Sequence, residues 1–172
     1  MKMNKSVTYV DFGWDGAQRF WEELVVPSYS RFLTVPNRAN AIAAAWPAWH
    51  MHEWVWHDAN PNVNTRDPKY IKFRDALLSA CPALGHLRDV ANASKHRGTS
   101  DQRRKVSAIS GLGLITKNTN PSFFDTGPFI QHYPLILVLA DKTELEFQAA
   151  LTDAVRYWCN QGFTGLPALT SK

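Results

Sequence analysis

The stretch from Asn40 to Asp58, NAIAAAWPAWHMHEWVWHD, decides how this chain is read. Ile42, Trp46, Trp49, Met51, Trp54, Val55 and Trp56 fall around the whole circumference of a 3.6-residue helix rather than along one stripe. A helix that is apolar on most sides belongs at the centre of a bundle. Pro36 and Asn37 mark its start and Asn60 with Pro61 its stop, while Pro47, which has no N–H to donate, is expected to bend it. Four of the chain's seven Trp lie here, as a thick aromatic core requires.

Shorter amphipathic segments flank this rod. Asp15 with Gln18 reads as a capping box opening a first helix through Phe20, Trp21, Leu24 and Val25, which kinks at Pro27 or restarts at Ser28 and continues through Phe32 and Leu33. After the turn-rich residues 61–68, Tyr70, Phe73, Leu77 and Leu78 mark a third helix ending near Cys81 and Pro82. Leu84, Leu87, Val90, Ala91 and Ser94 form the core side of a fourth, with Gly98 as its C-cap. The pattern then turns extended: KVSAISGLGLITK and HYPLILVLA read as two strands joined by a long Asn-, Pro- and Gly-rich loop. Thr143 with Glu146 reads as a second capping box, opening a last helix striped by Phe147, Leu151, Ala154, Val155 and Trp158. The expected architecture is mainly α, a single domain over residues 1–172. It comprises a bundle of about five helices (about 15–97), an inserted β-hairpin (about 105–140) and a C-terminal helix (about 143–161).

Composition bounds the function. With 172 residues, 45% hydrophobic and 20% charged, the chain is apolar enough to build a core without staples. Two distant cysteines, Cys81 and Cys159, exclude a dense disulfide framework, and no stretch is long and apolar enough to act as a signal peptide or membrane span, so a cytoplasmic protein is expected. GLGL is not followed by the Lys and Ser or Thr of a phosphate-binding loop, and neither cysteine sits in a paired metal motif; ATP hydrolysis and zinc-finger binding are disfavoured.

Three groups of residues carry possible chemistry. Arg88, Asn92 and His96 stand at i, i+4 and i+8, within about 80° of one another on one helix face. An arginine holds phosphate, a histidine exchanges protons near neutral pH and an asparagine orients either, a combination suited to RNA cleavage. The same residues also suit a structural role, because cations at a helix C-terminus meet the dipole favourably. Beyond this face, Lys95, Arg97, Arg103, Arg104 and Lys105 oppose Asp101 alone, a local excess of four that equals the net charge of the whole chain, +4. Such a basic segment either neutralises nucleic-acid phosphates or is simply solvated. Finally, His50, Glu53 and His57, with His52 nearby, share a face of the central helix; they either bind a transition metal or complete a hydrogen-bond network.

Arg88 followed by the polar Asp89 and, after DVANASK, by His96 resembles the signature of the HEPN superfamily, over roughly residues 15–97. The family's spacing is four to six intervening residues, where this chain has seven. The resemblance implies a helical RNA-binding protein or metal-independent endoribonuclease of toxin–antitoxin or phage-defence type, without cofactor. It also implies a homodimer with the motif at the interface, Arg88 on phosphate and His96 as general base. A shared site suits the spacing, because the rise of the helix separates the Arg88 and His96 backbones by about 12 Å. More loosely, the NASKH stretch before a strand pair is similar to helical proteins of bacteria and phages, which implies no activity. The alternative, from another class, is a non-enzymatic interaction module (antitoxin, inhibitor or phage accessory protein) docking its basic loop on an acidic protein partner.

Overall fold

Helix α1 (Ala17–Phe20) runs without a break through a π-helical turn (Trp21–Val25) into α2 (Val26–Thr34). The computed structural model describes residues 15–61, 64–95, 106–110 and 134–165. Pro27 therefore neither ends nor restarts the first helix. It cannot donate to the carbonyl four residues earlier, and the wider π turn lies directly upstream, where that missing bond is accommodated. The expected Asp15–Gln18 capping box does not form. Gly16 is the N-cap with φ of 146°, and the Gln18 amide donates instead to Glu22. The first N–H, of Ala17, is capped from another helix: it donates to Asp58 Oδ2 at 2.8 Å. A side chain at Gly16 would be strained by the positive φ and would place its Cβ 3.1 Å from that carboxylate oxygen.

Asp58 belongs to α3 (Arg38–Ala59), the central rod, which packs against α1, the π turn, α2 and two later helices. Its ends lie where the sequence places them. Asn37 Oδ1 accepts the Asn40 N–H at 2.9 Å, and Asn60 takes the C-cap position. Helix α4 (Pro68–Ala80) opens on Asp67, whose carboxylate accepts the Lys69 N–H at 2.7 Å, and α5 (Pro82–Lys95) follows after Cys81 alone. Along α5, Leu84, Leu87, Val90 and Ala91 are buried as expected, but Ser94 is exposed and donates to the Ala91 carbonyl.

Three strands then form an antiparallel sheet: β1 (Val106–Ser110), β2 (Ile136–Leu139) and β3 (Glu144–Glu146), in the order β1-β2-β3. The hairpin expected between the fourth and last helices is the β1–β2 pair, in register from Ser110↔Ile136 to Val106↔Leu139 around one bulge. The third strand is a correction. Residues 144–146 do not open the final helix as a capping box; they pair with β2, Leu137 opposite Leu145, and α6 (Phe147–Asn160) starts only at Phe147. Leu145 is half-buried between exposed Glu144 and Glu146, the alternation of a strand, and the turn before it is closed by Asp141 accepting the Thr143 N–H at 2.9 Å. The loop joining β1 to β2 and the end of the helix at Gly98 lie outside the described residues.

Among the described residues, a large core cluster draws on all the helices and β2. Trp158 of α6 lies against the buried alanines of α3 and donates its indole N–H to the Ala48 carbonyl at 3.0 Å. Small residues let the ring approach that backbone closely; a buried Trp of this kind contributes on the order of 3–5 kcal/mol. Phe32 and Phe147 meet edge to face at 5.0 Å and tie α2 to the start of α6. No helix among the described residues is long and apolar enough to cross a membrane.

Candidate functional site

Helices α3 and α5 pack along each other, and at the C-terminal end of α5 the first residue of the basic segment meets the histidine face of α3. Lys95 Nζ lies 3.4 Å from His50 Nε2 and 5.9 Å from the centre of the Trp46 ring. Trp46 is 37% exposed, unusual for so large an apolar side chain, and its ring centroid is 4.7 Å from that of His50. On the other side of the imidazole, His50 Nδ1 lies 3.2 Å from Glu53 Oε1. The surface therefore presents, side by side, an aromatic face, an ammonium group and an imidazole held by a carboxylate.

The protonation pattern follows from the partners. An ionised carboxylate only accepts, so His50 Nδ1 donates to Glu53 and Nε2 accepts from Lys95. Burial pushes the Glu53 carboxyl up, but the hydrogen bond from His50 and the charges of His50, His52 and His57 outweigh it and hold the carboxyl below its ordinary value. Glu53 is thus an anion at neutral pH.

His52, two residues away, is a different histidine. It is 1% exposed, its Nδ1 donates to the Trp49 carbonyl at 2.6 Å and its Nε2 accepts from the Tyr70 hydroxyl at 2.8 Å. Burial, partly opposed by the Trp49 bond and the Glu53 charge, lowers its pKa to about 4. Burial and the Glu53 charge raise that of Tyr70. Both groups are neutral and both ring nitrogens are used, so His52 is a structural member of the core.

Arg88 is half-buried, and its Nε and one Nη donate to Oδ1 of the buried Asp89 at 3.0 and 2.9 Å. The polar residue after the arginine therefore orients the guanidinium within the same chain. Asn92, also half-buried, lies one turn on toward Lys95. His96, Arg97, Arg103, Arg104 and Lys105 lie outside the described residues. Among the described residues no three His, Cys, Asp or Glu side chains are placed to hold one ion. His57 is exposed near the end of α3, while His50 and Glu53 bind each other.

Sequence reasoning missed one further concavity. A cleft of about 460 Å³ lies between the α4–α5 junction, β3 and α6, lined by Cys81, His86, Leu145, Asp153, Arg156 and Tyr157 among others. Its lining comes from segments about 70 residues apart, so no local pattern announces it. Burial raises the pKa of the Cys81 thiol, which disfavours the nucleophilic thiolate.

No sequence-family model, no curated protein and no solved structure matches this chain.

Proposed function

We propose that this chain binds single-stranded RNA through the α3–α5 face and acts on it as a metal-independent endoribonuclease of HEPN-like type. One observation carries the reading: Lys95, the first cation of the basic segment 95–105, lies 5.9 Å from the centre of the partly exposed Trp46 ring and 3.4 Å from His50 of the His50–Glu53 pair. A flat aromatic surface stacks a base, and cations beside it neutralise the backbone. An imidazole oriented by a carboxylate is suited to moving a proton between them. On this reading the homodimer implied by the Arg88–His96 spacing would bring a second copy of α5 to the same face.

The test is fluorescence anisotropy of labelled single-stranded RNA in chelator across a salt series. Trp46→Ala is expected to weaken binding by about 1–3 kcal/mol, the worth of one stacked base. Lys95→Ala is expected to lower the slope of log affinity against log salt by about 0.7. RNA binding that is absent, or indifferent to both substitutions, refutes the proposal, and retention of an acidic protein instead would favour the interaction-module alternative.

A further inference from the structure

We propose that His50 is the general base of an RNA transesterification at this face, with Glu53 as its positioning residue and Lys95 as the proton donor to the leaving oxygen. The inference rests on the RNA reading above and assigns the reacting groups within it. It departs from the expectation drawn from the sequence, in which His96 was the base.

Geometry selects His50 from the three histidines of α3. His52 spends both ring nitrogens inside the core, on the Trp49 carbonyl and the Tyr70 hydroxyl. His57 is exposed near the end of the helix. His50 alone of the three has Nδ1 on a carboxylate, at 3.2 Å, and Nε2 turned toward the cation of a neighbouring helix, at 3.4 Å. That arrangement fixes the tautomer a base requires, with the proton on Nδ1 and the lone pair on Nε2. Among the described residues, the charged or titratable groups shown against it are Glu53 and His52 on α3 and Lys95 on α5. Since His52 is neutral, the carboxylate and the ammonium dominate. Lys95 is exposed, so its ammonium can swing aside to admit a ribose while a base stacks on Trp46.

The step balances without metal or co-reactant. His50 Nε2 takes the proton of a 2′-hydroxyl, and the oxygen's electron pair forms a bond to the adjacent phosphorus. The bond from phosphorus to the 5′ oxygen breaks, its electron pair leaves on that oxygen, and Lys95 protonates it. The products carry a 2′,3′-cyclic phosphate and a 5′-hydroxyl. The His50 imidazolium then passes its proton to the Lys95 amine, 3.4 Å away in the resting structure, which restores both groups.

The full chain is incubated in chelator with a mixed-sequence RNA oligonucleotide, and the product termini are identified by mass spectrometry. Wild type is expected to leave 2′,3′-cyclic phosphate ends, and His50→Gln to cleave at least about 100-fold more slowly. Its affinity for a 2′-deoxy copy of the oligonucleotide should stay within about threefold of wild type. Glu53→Gln is expected to lose less activity, with the loss in kcat rather than in KM, because the imidazole is still present but no longer held in place. The 2′-deoxy copy needs no variant: wild type must bind it and leave it intact. Cleavage of that copy, or wild-type rates from His50→Gln, overturns the inference. RNA bound by wild type but left whole overturns it and spares RNA binding, and RNA neither bound nor cut overturns both.

Discussion

Acidification from pH 7 to pH 5 should weaken this fold through His52. Its ring is packed between Trp49 of α3 and Tyr70 of α4, and burial lowers its pKa from 6.5 to about 4. In the unfolded chain the same ring titrates near 6.5, so between the two values the unfolded state binds the proton and the folded state refuses it. Stability from this group is complete above about pH 6.5 and is lost progressively as the pH falls toward 4. The whole difference is worth about 3 kcal/mol, of which about 2 kcal/mol is gone at pH 5. That is a sizeable part of the 5–15 kcal/mol typical of a domain. Glu53 also loses stability in acid, but its loss begins near its unfolded value of 4.5, so the two windows separate. Urea unfolding followed by tryptophan fluorescence, in half-unit pH steps, is carried out on wild type and His52→Asn. The variant is expected to be less stable at pH 7.5, and its deficit to shrink by about 2 kcal/mol on going to pH 5. Parallel curves for the two proteins would show that the ring accepts its proton as readily folded as unfolded, and the reasoning from burial would fail.

Two further outcomes test the fold. Asp58→Ala removes the carboxylate that caps Ala17 from α3 and should cost about 1 kcal/mol, read as a lower urea midpoint with an unchanged slope; an unaltered midpoint would deny that this contact closes the first helix. Burial raises the pKa of both the Cys81 and the Cys159 thiol, so alkylation of the native chain at pH 8 should be slower than that of the unfolded chain, most of all at the buried Cys81. Equal rates in the two states would contradict the packing around the α4–α5 junction.

Helix α3 was legible because every signal that bounds it is local: Asn37 caps its own third following residue, and Asn60 with Pro61 ends it within one turn. The start of α6 was not, since Thr-Glu-Leu-Glu satisfies both a capping box and a strand alternation. The choice between them was made by Leu137 of β2, which pairs with Leu145. Likewise the cap of α1 comes from Asp58, 41 residues away, where no reading of residues 15–18 reaches it. The candidate site divides in the same manner. The helix faces bearing His50 with Glu53 and Arg88 with Asn92 follow from periodicity alone, whereas the meeting of His50 with Lys95 joins residues 45 apart and is set by how α3 packs on α5.

His50 and His52 show why residue type alone left the chemistry open. Their ring centroids are only 6.5 Å apart, yet one is sealed in the core on a tyrosine and the other stands between a carboxylate and an ammonium. A charged His52 would repel any proton arriving on His50, while a neutral one leaves Glu53 and Lys95 as the charges that act on that imidazole. The burial that makes His52 sensitive to acid therefore also clears the electrostatic ground for His50 at neutral pH. The two roles are linked through Glu53, whose charge acts on His52 and whose oxygen holds His50. Stability below pH 6.5 and proton transfer at the surface should consequently respond together to Glu53→Gln. A substitution confined to Lys95 lies outside that linkage, and should reduce the surface chemistry while leaving the acid-induced loss of stability as it is in the wild type.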